Sequence, residues 1–365
     1  MTTATTTQAG NVCRTALAGA ALILAGAAGT AQAQTNVAIY GLVDAAIVGE
    51  RGGSGGKVTK LTSGASAASR IGFRGTETIG NGLSAFFTLE AGTKIDTGEI
   101  DAAGTIFNRQ ALVGLKGSFG AVALGRQYTP YHNTLVKVID PFSTGYAGTA
   151  KNLFPHFGSN IRTSNTITWA SPTVSGIDME LAYSAGEQTS SSAGRQFGSA
   201  VGYAMGPLAL RLAYNNKNTT VAGANATGRN ILLGANYNFG PVKVHAGYGA
   251  DKGVGSAPLG NPNNPYGGVR PTPSLDGREL LLGFSAPVGA GTLLFSVMHK
   301  DDRTAFDQDA SSWGVGYLHA LSKRTGLYAA YAHINNRNGA GYTVANNTEA
   351  GTGHTGYNLG VRHTF

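Results

Sequence analysis

The feature that most constrains this chain is an alternation of side-chain type with period two, repeated along most of its length. In a β-strand successive side chains face opposite sides, so alternation marks a strand with two different faces. At the C-terminus Tyr357, Leu359, Val361, His363 and Phe365 share one face, and Asn358, Gly360, Arg362 and Thr364 share the other. Ile177, Met179, Leu181 and Tyr183 likewise alternate with Asp178, Glu180 and Ala182. Leu208, Leu210, Leu212 and Tyr214 alternate with Ala209, Arg211 and Ala213, and the pattern recurs over 230–239 and 242–248. The apolar face often ends in Tyr or Phe, as an interfacial aromatic girdle requires, while the opposite face carries charge and glycine. One lipid-facing and one lumen-facing side is the signature of a transmembrane β-barrel. A soluble sandwich would bury bulkier Val, Ile and Phe on its inner faces.

Helical membrane spans are excluded. The best apolar stretch, 280–298, is broken by Gly283, Ser285, Pro287, Gly289, Gly291 and Ser296, well short of the uninterrupted run that a spanning helix needs. Seven short turns are legible: 80–82, 117–120, 172–176, 206–207, 240–241, 289–291 and 322–325. Eight long loops separate them, at 49–68, 93–107, 129–160, 185–197, 215–228, 250–277, 301–311 and 335–355. These connections join sixteen antiparallel strands, with short turns at one end and long loops at the other. The expected fold is therefore all-β, a 16-stranded antiparallel transmembrane barrel wide enough for a water channel along its axis.

The N-terminal residues 1–33 read as an export signal. One cation, Arg14, precedes an apolar run over 16–28, and Ala31-Gln32-Ala33 supplies the small-x-small pattern of a cleavage site. The run is too short for a membrane anchor, which takes about 20 residues. The barrel would then occupy 34–365 as one domain, exported through the periplasm to the Gram-negative outer membrane and its lipid. The single cysteine, Cys13, lies in the signal, so the exported chain has no thiol for a disulfide, a nucleophile or a thiolate metal site. The formal charge of +8 is carried by scattered cations, with no basic cluster or helix, which argues against nucleic acid as a partner. No His-Glu-x-x-His or phosphate-cradling glycine loop occurs, and the one Gly-x-Ser-x-Gly match, at 52–56, lies in a run of glycine and serine within an expected loop. No enzyme activity, cofactor or metal is expected. The leading function is passive diffusion of small hydrophilic solutes. A substrate-specific channel of the same fold is the alternative. A loop-mediated adhesin or receptor and a barrel enzyme rank behind it.

Several motifs, in order, resemble the trimeric Gram-negative general porins, most closely their anion-preferring branch. They are Val37-Ala-Ile-Tyr-Gly-Leu-Val-Asp44, Ser69-Arg-Ile-Gly-Phe-Arg-Gly-Thr-Glu77, Gly82-Leu-Ser-Ala-Phe-Phe-Thr-Leu-Glu90 and Asn108-Arg-Gln-Ala-Leu-Val-Gly-Leu115. Phe119-Gly120, Leu124-Gly-Arg-Gln-Tyr128, Asp140-Pro-Phe142, Arg162-Thr-Ser-Asn165 and the terminal 357–365 strand complete the set. The resemblance spans 34–365, more weakly in the loops. It implies a homotrimer and a third loop, here 129–160, folded into the lumen as a constriction. It also implies a row of arginines facing that loop, which here are Arg70, Arg109 and Arg162.

Parity alone places Arg70 inward with Arg74, and Arg162 inward with Thr166 and Thr168. Arg109 has the parity of the outward Val113 and Leu115. A bulge, an inward turn of those residues, or a wrong assignment would each account for it. Asp140 is the only acid of the third loop, and Glu90 adds a counter-charge from the wall, so three bases exceed two acids and small anions are the expected solutes. Asp44 is a further candidate acid. Arg126 has outward parity. At the midplane a lipid-facing Arg costs ~2–4 kcal/mol, which a neighbouring subunit would remove, the family implying a latch by a neighbour's second loop. Asp96, Glu99 and Asp101 are candidate partners; snorkelling to the membrane surface is the alternative. Phe365 ends the final strand, and in this family that strand resembles the signal read by the barrel-assembly machinery.

Overall fold

A computed structural model describes residues 36–53, 56–187, 192–221, 224–253 and 276–365. The expected export signal at 1–33 lies outside the described residues, as does most of the loop expected at 250–277. The strands are β1 (Asn36–Gly53), β2 (Gly56–Ser63), β3 (Arg70–Gly80), β4 (Leu83–Gly92), β5 (Gln110–Gly117), β6 (Gly120–Tyr128), β7 (Arg162–Ala170), β8 (Ile177–Ser184) and β9 (Gln196–Met205). They continue as β10 (Leu208–Val221), β11 (Ala224–Asn238), β12 (Lys243–Gly253), β13 (Asp276–Val288), β14 (Gly291–Asp302), β15 (Ala310–Ala320), β16 (Thr325–Asn336) and β17 (Thr355–Thr364). Apart from β2 and β3, which do not pair with each other, each pairs antiparallel with its sequence neighbours, and β1 pairs with β17 to close the ring. β2 and β3 both pair with β1, on its 45–53 and 36–42 halves, so they are one strand position interrupted at 64–69. Seventeen segments therefore fill sixteen positions of the barrel.

Two expected loops are largely strand. β1 and β2 occupy most of 49–68, and β10 and β11 run as one ladder from Leu208↔Tyr237 to Val221↔Ala224 through most of 215–228. β1, β10 and β11 exceed the ~9–11 residues needed to cross a bilayer. Beyond the lipid both faces meet water, so polar side chains no longer signal a loop, while backbone pairing continues unchanged.

The alternation has the expected physical meaning. On β17 Leu359 is 55% exposed on the outer face, and the intervening Asn358 is 3% exposed on the inner one. Phe365 completes the closing seam. It exchanges both backbone hydrogen bonds with Gly41 at 3.1 Å, and its ring covers Gly41 where any Cβ would collide.

The apolar core lies inside the barrel and is built around the third loop, 129–161. This loop is not irregular throughout. Helix α1 (Pro130–Thr134) starts on Thr129, whose hydroxyl accepts from His132 N, with Pro130 in the first turn. A π turn over Leu135–Ile139 and 3₁₀ turns over Ala150–Asn152 and Gly158–Asn160 follow. Tyr131, Leu135, Ile139, Phe142, Leu153 and Phe154 are fully buried against inward Leu232, Leu281, Leu294 and Met298 of the wall. Each such side chain contributes about 1.5–3 kcal/mol when removed from water, so this cluster is the main hold on the loop in the lumen, to which Lys137 adds a 4.0 Å ion pair with Glu180 of β8. The wall makes room by being bare. Ile139 packs onto Gly234 and Gly247, Phe142 onto Gly316, and a Cβ at Gly314 would lie 2.5 Å from Gly148 Cα.

Because the neighbour of Gly314 is backbone, it cannot rotate away. Gly314→Val should displace the third loop from the β15 wall at a cost of about 1–3 kcal/mol. The expected readouts are a lower unfolding temperature of the folded barrel and a larger single-channel conductance.

Candidate pore constriction

The three arginines meet where the third loop leaves the wall. Arg70 opens β3 just after the 64–69 interruption, with Nε donating to Ala68 O at 2.9 Å. Arg109 precedes β5, with Nε donating to Glu90 Oε1 at 2.8 Å and an NH2 donating to Tyr128 OH at 2.8 Å. Arg162 opens β7, and its NH2 donates to the same Tyr128 hydroxyl at 2.8 Å while its guanidinium lies 4.4 Å from the ring centroid. Tyr128 therefore joins two cations through one oxygen and one π face. Its ring stacks on His132 at 4.3 Å, and His132 stacks on His156 with Nδ1 and Nε2 2.7 Å apart. Glu90 is buried between Arg109, Arg70 (4.0 Å) and Tyr40 OH (3.0 Å).

Two of these placements depend on breaks in the alternation. The β4–β5 ladder ends at Glu90↔Gln110, and Arg109 N also donates to Glu90 O. Val113 and Leu115 stay exposed on the outside. The irregularity at the strand end, and not an inward turn of β5, brings Arg109 into the lumen. On β7 the ladder steps from Gly125↔Thr166 to Gln127↔Thr163, an extra residue marked by Asn165 at φ 55°. Parity counted from Thr166 therefore does not reach Arg162 unbroken. Its contact with Tyr128 comes from this bulge.

A cavity of about 530 Å³ opens beside this cluster, and five cations line it: Arg70, Arg109, Lys151, Arg162 and Arg362. The one carboxylate lining it among the described residues is Asp101. Arg362 lies on the polar face of the last strand, so alternation alone identifies it as inward. Tyr128 gives no such signal, because its role is created by contacts among three segments. Lys151 Nζ donates to Asn346 O and Asn347 O at 2.9 and 2.6 Å. Burial, reinforced by the charge of Arg162, pushes its ammonium down to about 8. Burial, then surrounding cations, hold His132 and His156 well below the usual histidine range.

The other sequence candidates stand elsewhere. Asp140 does not face the cavity. It is buried within the loop, accepting from Phe142 N at 2.9 Å, Thr144 N at 2.8 Å and Ala150 N at 3.0 Å. A short acidic side chain after a π turn is better placed to cap the loop's own N–H groups than to reach the channel. Burial pushes its carboxyl up to about 6, against those three hydrogen bonds. Arg74 faces inward but away from the cluster, 5.0 Å over the Tyr40 ring in a separate recess with Thr88 and Lys116. Asp44 is buried and held by Ser66 and Tyr328 hydroxyls. Arg126 pairs with the outward Ala111, and its head donates to Asn108 O at 2.5 Å and Ser164 Oγ at 3.0 Å.

Asp140→Asn distinguishes a loop cap from a pore charge. Losing one charged acceptor for buried N–H donors should cost about 1–3 kcal/mol and loosen the loop, seen as a lower unfolding temperature and noisier open channels. The reversal potential in a salt gradient should stay near that of the unaltered protein. A clear shift toward anions would put Asp140 in the channel.

The Gram-negative porin family model matches residues 18–339. Outer membrane porin protein 32 of Delftia acidovorans is 34% identical, over 94% of this chain and 98% of its own length. An outer membrane porin protein of Bordetella pertussis is 30% identical, over 95% of this chain and 98% of its own length. An anion-selective porin from Comamonas acidovorans superposes with a TM-score of 0.73 at 29% identity, covering 91% of this chain and all of that one. A trimer form of OmpT from Vibrio cholerae shares the fold, with a TM-score of 0.64 at 16% identity, over 91% of this chain and 99% of that one. With sequence match and closed barrel in agreement, this chain belongs to the Gram-negative porin family and forms a passive outer-membrane channel for small hydrophilic solutes, not an enzyme.

Proposed function

We propose that this channel prefers anions and works as a homotrimer exported by the 1–33 signal. The observation that carries the preference is the imbalance at the cavity. Five cations line it, Glu90 is already engaged by Arg109, and the only acid of the third loop is turned into the loop itself. Low-dielectric walls focus the field of such a cluster, and rings of Arg or Lys select anions. The anion-selective relative supports the same reading. Arg70, Arg109 and Arg162 form the selective wall, with Glu90 as its partial counter-charge, and Arg74 continues the basic lining below it. Phe365, as the last residue of the closing strand, serves recognition by the barrel-assembly machinery as well as closure of the seam.

Arg70→Ala with Arg162→Ala should move the reversal potential in dilute KCl toward cation preference, because the Debye length there is about 10 Å, comparable to a pore radius. The preference of the unaltered channel should also weaken as pH rises through about 8, where Lys151 loses its proton. A channel that is cation-selective at neutral pH in dilute salt would overturn the preference and leave the family membership intact.

The trimer reading rests on Arg126, an outward guanidinium near the membrane-facing wall with partners from Asn108 and Ser164. A carboxylate from a neighbouring subunit's 93–109 loop would complete its coordination. Arg126→Ala should release monomers in mild detergent while the residual channels keep their charge preference. A trimer of undiminished stability with altered selectivity would place Arg126 in the lumen.

A further inference from the structure

We infer that the outer wall of β11–β14 carries, at its long-loop end, a binding site for a diphosphorylated, acylated glycolipid of the outer leaflet, held by Arg229, Lys252 and Arg278. The inference rests on the outer-membrane location and not on the charge preference of the channel.

Alternation puts these three cations on the outside of the barrel. Each is exposed, while the residue beside it in sequence, Asn230, Asp251 or Glu279, is buried on the inner face. All three lie toward the strand ends that join long loops, which are the extracellular ends of such a barrel. On the same outer face, next toward the membrane, stand Ile231 and Leu233 of β11 and Leu280 and Leu282 of β13, all exposed for lipid. A step of two residues along a strand is about 7 Å. The cations therefore sit at headgroup depth, directly above side chains at acyl-chain depth.

The strand register gathers them into one patch. Arg229 stands directly opposite Lys252, and Arg278 stands opposite Ala250, two residues from Lys252 on the same strand. Like charges directly opposite each other destabilise a sheet, and an anion bridging the pair removes that cost. The carboxylates at hand are few. Asp276 lies 3.6 Å from Lys252 and 3.8 Å from Arg303, and Asp301 is the register partner of Arg278. Among the described residues of this patch four cations thus meet two acids, and the Lys252 side chain is still 76% exposed. The next acid, Asp307, turns to Asn338.

Size and position select the ligand. From β11 to β13 is two interstrand spacings, about 10 Å. A single glycerophosphate engages one end of that span. Two phosphates at opposite ends of an acylated disaccharide reach both, each within a guanidinium fork, with the acyl chains laid on the leucines below. Counting β2 and β3 as one position, β6 is fifth in the ring and β11–β14 are tenth to thirteenth. The patch is therefore across the barrel from Arg126 and stays on lipid in the trimer proposed above.

The combined variant Arg229→Gln, Lys252→Gln, Arg278→Gln tests this. Binding of diphosphoryl lipid A to the folded channel in detergent micelles, counted by native mass spectrometry, should weaken about a hundredfold, taking about fivefold for each cation at a charged lipid surface. Arg229→Lys with Arg278→Lys should keep most of the binding. Arg195→Gln, which removes an exposed cation just before β9, should leave it unchanged. Phosphatidylglycerol should compete weakly, and millimolar inorganic phosphate should not displace the glycolipid. Undiminished binding by the folded triple variant would overturn the inference. So would equal competition by phosphatidylglycerol, the mark of a general anionic-lipid surface, or displacement by inorganic phosphate, the mark of a simple anion site. The triple variant should also keep the conductance and KCl reversal potential of the unaltered channel; a shift in either would put these cations in the lumen and overturn the site while leaving the channel reading intact.

Discussion

Everything in this molecule depends on the rule that a backbone amide in hydrocarbon must find its partner within the protein. Sixteen strand positions satisfy it by pairing in a ring, and the last bonds of the ring are those between Gly41 and Phe365. Closure leaves no free edge in the lipid. It also reverses the usual location of the core. Since the outer face must be apolar for lipid, the protein's own buried cluster moves inside the barrel, where apolar side chains of the third and eighth loops pack against inward side chains of the wall.

The constriction follows from that inversion. A loop held chiefly by Tyr131, Leu135, Ile139, Phe142 and Phe154 does not need its one acid as an anchor, so Asp140 is free to cap its own backbone. The wall opposite can then carry arginines that no third-loop carboxylate neutralises. Glycines such as Gly314 permit the close approach, and Tyr128 lets two guanidiniums share an acceptor where they would otherwise repel. Packing and electrostatics thereby rest on different groups: apolar contacts set the loop's position, while cations outnumber carboxylates around the cavity.

Much of this was legible from residue order. Alternation over 357–365 and 177–183 placed lipid-facing and lumen-facing side chains correctly, because period two is a local property of an extended chain. Counting seven short turns and eight long loops reached sixteen strands for the same reason. Arg70 and Arg362 could be read as inward from parity. Arg109 and Arg162 could not be derived this way, since each depends on an irregularity in a ladder formed with a partner strand. The extension of β10 and β11 through an apparently loop-like stretch was hidden because polar residues pair as readily as apolar ones once outside the bilayer. The Thr129-Pro130 start of α1 is a helix signal in the sequence, an N-cap hydroxyl followed by proline in the first turn.

What the sequence by itself determined is the set of quantities that a strand defines locally: its faces, its turns, the strand number, and hence a transmembrane barrel with a basic lumen. What only the tertiary structure decided is which side chains meet at the narrow point. Asp140 left the channel because three backbone amides of its own loop lay within reach. Lys151 entered it because carbonyls of Asn346 and Asn347, far away in sequence, came to meet it. Such contacts arise between loops that alternation does not describe, and they exist only once the barrel has closed around them.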